Sequence, residues 1–173
     1  MGVFMNVEQI KSALIILRVG KAATEVVAQI NGDTIYSRQF AVGTQTMDVA
    51  VVEHFQRKLN MLIGNYTAEA IRIAVGSAFP EDSELAIQVR GRDVDAQMPR
   101  TVTVTEAEIS AAISNVVETL VNAVKVAVQR VSSEARAALA AFGAIELTGE
   151  GACLRGLDKR LMFATDLLVV IPD

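Results

Sequence analysis

GAIELTGEGACLRGLD, residues 143–158, decides how the rest of the chain is read. A short apolar run at 144–147 meets a turn carrying Gly149 and Gly151, and an amphipathic helical pattern opens at Leu154. Strand, glycine-bearing turn and helix therefore follow one another. Gly-x-Gly between a strand and a helix is weak evidence for a nucleotide, being as often a tight turn. Towards the C-terminus the same pattern predicts a helix over 154–164 and a last strand over 167–171. Towards the N-terminus it predicts a helix that Ser132 or Ser133 caps and Gly143 closes.

Further out, β-branched and aliphatic runs at 14–17, 24–30 and 34–40 predict three strands. Asn31-Gly32 joins the last two as a hairpin, because both residues tolerate the positive φ of a type I′ turn. Met47, Val51, Phe55, Leu59 and Leu62 recur at three- and four-residue spacing and predict one helical face. A second helix over 67–75 is expected to be capped by Thr67 and ended by Gly76. Leu85, Ile87 and Val89, then Val102 and Val104, alternate with polar residues and predict two strands paired across the polar loop 93–97. Thr105 and Glu108 form a capping-box pattern that opens a long helix, with Ile109, Ile113, Val116, Leu120, Val124 and Val128 facing inward. The fold class is α/β with a mixed sheet. The division expected is an extension at 1–11, a large lobe at 12–63 and 105–173, and a small inserted α+β lobe at 64–104. With that lobe set aside the order is βββαααβαβ.

Composition narrows the function classes. A chain of 173 residues can bury roughly 70% of its unfolded surface, and 51% hydrophobic with 21% charged residues leaves no sign of disorder. A net charge of −4 without clustered Lys and Arg excludes a nucleic-acid partner. The single Cys153 excludes an internal disulfide and makes a poor metal site, and its place after the Gly-Ala turn suggests a buried thiol. The longest unbroken apolar run, 13–17, is too short to cross a bilayer, and the N-terminus has neither a secretory pattern nor the myristoylation pattern. A cytoplasmic protein is expected, membrane-associated at most through partners. The apolar residues 1–5 give too little area for direct membrane binding. His54 reads as a lone, exposed, inert histidine. No nucleophile motif, HExxH or paired-carboxylate pattern stands out, and no catalytic or metal-binding residue is assigned.

Taken together, residues 143–158, LNMLIGNYTAEAIRIAVGSAFP at 59–80, IQVRGRD at 87–93 and PRTVTVTEAEI at 99–109 resemble the bacterial actins of the MreB family, in the same order. About 160 residues resemble the second large domain of an MreB; the other half has no counterpart. The resemblance implies the ribonuclease-H-like fold of actin-like ATPases. It also implies a nucleotide held between two domains by glycine-rich hairpins. Glycine is needed there because a Cβ would intrude where backbone approaches phosphate.

The implied nucleotide-facing residues are Gly20, Lys21, Ala22, Thr24, Glu69, Arg72, Gly149, Glu150, Gly151 and Ala152, and they form a degenerate set. The family's Asp-Ile-Gly-Gly-Gly-Thr-Thr-Glu hairpin is here Arg18-Val19-Gly20-Lys21-Ala22-Ala23-Thr24-Glu25, with one glycine of three and an arginine in place of the metal-positioning carboxylate. Lys21 could pair with a phosphate, but the residues favour an ordinary hairpin turn with solvated Lys21 and a strand-end Arg18 whose head reaches water. On the adenosine side Glu69 is retained and Arg72 stands for lysine. Three residues apart on a helix, these two would otherwise form a weak surface ion pair. Asn65 departs from the Glu or Asp of related sequences. Glu150 replaces the middle glycine of the Thr-Gly-Gly-Gly-Ala turn, and Glu146 interrupts an apolar strand where burial would be costly.

The resemblance implies a cell-shape cytoskeletal protein reduced to one domain. Its expected partners are MreB-type filament subunits or a RodZ-like protein, with possible self-association, and its nucleotide hydrolysis is expected to be lost. The inserted lobe resembles the family more closely than the phosphate loop does. Two alternatives stand beside this reading: a half-site whose ATP and Mg²⁺ binding another chain completes, and a non-functional truncated remnant. No cofactor is expected on the chain alone.

Overall fold

Asn31 and Gly32 both hold positive φ, 52° and 83°, so the expected type I′ reversal forms and pairs β2 (Thr24–Ile30) with β3 (Asp33–Phe40). The Asn31 side chain fixes the start of the sheet as well. Its Oδ1 accepts from the Lys11 and Ser12 N–H groups at 2.7 and 3.1 Å, and its Nδ2 donates to the Gln9 carbonyl. The computed structural model describes residues 6–80 and 84–173, and the apolar residues 1–5 weighed for membrane contact lie outside them.

β1 (Ala13–Val19) lies antiparallel to β2 and parallel to β7 (Ala144–Thr148), which is parallel to β8 (Leu168–Val170). The five-stranded order is β3-β2-β1-β7-β8. Ile15, Leu17, Val19, Val26, Ala28, Ile145 and Leu147 are buried on one face. They form a single core with Met47, Val51 and Phe55 of α1 (Thr44–Leu59) and with Ile109, Ile113, Leu120 and Val124 of α3 (Glu106–Arg130). Leu14, Ile16 and Val27 on the other face are half-buried. Glu146 pairs in register with Ile16 and Val170 on that face. The interruption of the apolar strand is thus a partly exposed carboxylate, and the burial cost does not arise.

By length and composition α3 could span a bilayer, but its apolar stripe fills the core while Asn115, Glu118, Asn122 and Lys125 face solvent. Thr105 caps it by accepting from the Glu108 N–H at 3.2 Å; the Glu108 carboxylate accepts from the Thr105 hydroxyl at 3.4 Å. Ser132 caps α4 (Ser133–Phe142) through the Ala135 N–H.

Three boundaries differ from the sequence expectation. α1 stops at Leu59 because Asn60 turns left-handed at φ 52°, which puts Leu62 in the short strand β4 (Met61–Leu62), exposed, while Met61 takes the buried place. α2 (Asn65–Val75) is capped by Gly64, not Thr67, which sits inside its first turn. After β7 the chain makes a 3-10 turn at Glu150–Cys153, and left-handed Gly156 delays α5 to Leu157–Thr165. Cys153 is exposed on that turn, contrary to the buried thiol expected.

β4, β5 (Ala86–Asp93) and β6 (Pro99–Thr105) form a second, antiparallel sheet in the order β4-β5-β6. Asp93 accepts from the Ala96 and Asp95 N–H groups at 2.8 and 3.0 Å, with Arg100 at 3.4 Å. Led by the Ala96 bond, these contacts hold its carboxyl below the ordinary value. A depressed folded-state pKa gives a contribution that is present above the unfolded carboxylate range and lost as pH falls through the folded value. The 93–98 turn is therefore expected to loosen below about pH 4. Amide NMR of Ala96 should follow that transition, and Asp93→Asn should remove it.

Candidate functional site

The turn after β1 is the first place where family chemistry would sit. The Gly20 N–H donates to the Ala23 carbonyl at 2.9 Å, closing the turn on itself. Its outward carbonyls are used too: Thr44 N–H donates to Gly20 O and Gln45 N–H to Lys21 O, both at 3.0 Å. The free amides that begin α1 are thereby satisfied by the turn. Gly43 makes this approach possible, since a Cβ there would lie 2.4 Å from Gly20 O and 2.5 Å from Lys21 O. Thr24 is buried, and its hydroxyl donates to the Val42 carbonyl at 2.6 Å, tying β2 to the same corner. Arg18 and Lys21 are exposed, as expected, and so is Ala22.

Beside this turn lies a cleft of about 440 Å³ lined by Lys21, Gln45, Asp48, Val49, Asn65, Tyr66 and Glu69. Lys21 and Glu69 are the sequence-expected residues that the fold brings to it. Arg72 does not pair with Glu69. Its Nε donates to Asp48 Oδ1 at 2.6 Å, in an ion pair whose side chains are 9% and 11% exposed. The reason is the rotation of α2: Ala68, Ile71, Arg72 and Val75 form its buried face, with Arg72 against α1. Asp48, Gly43, Gln45 and Tyr66 were not singled out from the sequence. Gly43 directly before the helix was a legible cap, whereas Asp48 and Arg72 are 24 residues apart with no local signal.

The turn at 149–152 does not line this cleft; it packs on the end of β1. Gly149 has φ +86°, and a Cβ on it would lie 2.4 Å from the Val19 carbonyl oxygen; one on Gly151 would lie 2.2 Å from Val19 Cγ1. Both glycines are required by the chain's own packing. Glu150 is exposed and Ala152 half-buried. Among the described residues, the buried Thr148 hydroxyl just before the turn has no hydrogen-bond partner.

A larger groove of about 800 Å³ runs between α1 and α3, lined on one side by His54, Arg57 and Lys58 and on the other by Glu108, Ala112 and Val116. His54 is not the exposed residue expected. Its side chain is 16% exposed, with Nε2 buried 3.9 Å from Glu108 Oε2. No group of three potential metal ligands exists among the described residues.

A five-stranded mixed sheet of this order, with a three-stranded sheet inserted between its first and second helical crossings and a glycine turn at the end of β7, defines an actin-like domain of ribonuclease-H-like fold. The comparisons agree. The crystal structure of MreB5 of Spiroplasma citri bound to AMPPNP superposes with a TM-score of 0.87 at 23% identity, over 96% of this chain and 50% of that one. The MreB/Mbl protein family matches residues 1–173, and the chain belongs to that family. It is 36% identical to the cell shape-determining protein MreB of Escherichia coli over 159 residues, 91% of this chain and 45% of that protein. It is 32% identical to Mbl of Bacillus subtilis over 162 residues, 94% and 48% of the two. The chain spans about half the length of these relatives.

Proposed function

We propose that this chain works in the cytoplasmic cell-shape cytoskeleton through protein contacts, with MreB-type filament subunits, a RodZ-like protein or its own copies, and does not hydrolyse a nucleotide. The observation that carries the reading is the closed Gly20–Ala23 turn. Its carbonyls are bound by the amides of α1, and no carboxylate flanks it in sequence nearer than Glu25. A Mg²⁺ ion needs oxygen ligands in near-octahedral array. In the adjoining cleft the Asp48 carboxylate is taken by Arg72, which leaves Glu69. These residues do not fit the metal, and no hydrolytic step is derived through it. Mixed with full-length MreB, the chain is expected to alter light scattering or to co-pellet; no association in either assay would sink the reading.

The open cleft favours a second reading, in which another chain completes a nucleotide half-site. Titration with labelled ATP separates the two. Saturable, Mg²⁺-dependent binding at micromolar concentration would support the half-site, and its absence supports the contact role.

A further inference from the structure

The VRGRD stretch at 89–93 is unused by the cleft, and its geometry is unusual for an acidic protein. Val89 is buried and Gly91 is pressed against β4, where a Cβ would lie 2.6 Å from Met61 Cε and 2.8 Å from Leu62 O. Strand alternation therefore turns Arg90 and Arg92 to the opposite, exposed face of the lobe sheet. On that face β6 presents Thr101 opposite Arg90 and Thr103 opposite Gln88, all four exposed. Arg100, on the other face of the same sheet, donates through Nη1 to the Leu59 carbonyl and to Asp93. The side chains of Arg90 and Arg92 have no hydrogen-bond or ion-pair partner among the described residues. Among the described residues preceding Arg90, the acid that shares its strand parity, Glu84, is six residues away, about 20 Å along an extended chain.

We propose that this outer face docks an extended, acidic segment of a partner protein. Two guanidinium groups at i and i+2 on a strand repeat every ~7 Å, which is the spacing of carboxylates on alternate residues of an extended partner. Each guanidinium can take one carboxylate in bidentate fashion. The small hydroxyl side chains of Thr101 and Thr103 leave a path for the arginines to reach across β6. β6 is an edge of its sheet, so its outer backbone groups can pair with the incoming strand. Charge supplies selectivity: in a chain of net charge −4, this face holds two cations without counter-ions among the described residues.

The inference goes beyond the filament reading and stands or falls separately, because its test needs neither MreB nor a nucleotide. The probe is a fluorescein-labelled decapeptide of alternating Glu and Thr, with the Gln-Thr decapeptide as control, followed by anisotropy against the full chain. Saturable binding is expected for the Glu peptide alone, weakening as salt is raised. The R90E/R92E variant should lose about tenfold or more in affinity. Should that reversal disturb folding, the Arg90→Gln/Arg92→Gln variant, with its unfolding transition matched to the parent, takes its place. The proposal is overturned if the acidic peptide does not saturate, if the variants bind it equally, or if the arginines instead govern capture by phosphatidylglycerol vesicles while the peptide stays free.

Discussion

Replacing Arg72 by alanine is expected to cost about 3–5 kcal/mol of folding stability, the range for breaking a buried ion pair from one side. Arg72 on α2 and Asp48 on α1 meet at 2.6 Å, with both side chains about nine-tenths buried. Alanine would strand the Asp48 carboxylate in low dielectric, and that uncompensated charge, more than the lost attraction, sets the size of the effect. The pair itself need not be strongly stabilising. A double variant, Asp48→Leu with Arg72→Met, should therefore recover most of the loss. Urea unfolding of the two single variants and the double variant measures the cycle. A cost under about 1 kcal/mol for Arg72→Ala would mean that water screens the pair as it does at a surface. The consequence reaches the cleft as well: Tyr66 and Glu69 belong to the helix that Arg72 anchors, so the variant should loosen the wall they form.

Gly149→Ala should be nearly as damaging, at about 3 kcal/mol or more. Its backbone sits at φ 86°, ψ −179°, a region essentially restricted to glycine, and holding another residue there costs about 1–3 kcal/mol. The new methyl would also lie 2.4 Å from the Val19 carbonyl oxygen. That oxygen belongs to the last residue of β1, which is paired with β2 and cannot withdraw freely. Overpacking of this kind adds about 1–3 kcal/mol. Gly64→Ala is the matched control: φ is −82° and nothing lies within 4 Å of the added carbon, so it should lose only about 0.5–1 kcal/mol, the margin by which glycine outranks alanine as a helix N-cap. Equal thermal transitions for the Gly149 and Gly64 variants would refute the account. The contrast also bears on function, because a glycine that β1 demands is no witness to a bound nucleotide.

The resemblance to bacterial actins and the order of elements along the chain were legible in the sequence because they rest on local signals. Period-two and period-3.6 apolar patterns act over a few residues, and Asn31-Gly32, Thr105 and Ser132 place the breaks. Boundaries were less legible. Asn60 and Gly156 end and delay helices through left-handed backbone, although the apolar period on either side of them continues. The candidate site was legible as a list and not as an arrangement. Of the ten residues named for it, Lys21 and Glu69 reach one cleft, while Gly149 and Gly151 serve the packing of Val19.

From its own residues, then, this chain specifies an α/β mixed sheet with an inserted lobe and an acidic net charge. Each of these follows from the character and spacing of neighbours along the chain. Tertiary structure alone decided that Arg72 turns away from Glu69 to Asp48, that Gly43 lets the Gly20 turn close on α1, and that the face shared by Arg90 and Arg92 is left open. Those outcomes depend on which helix face meets which sheet, and on the burial energy of partners far apart in sequence, which no short window of residues contains.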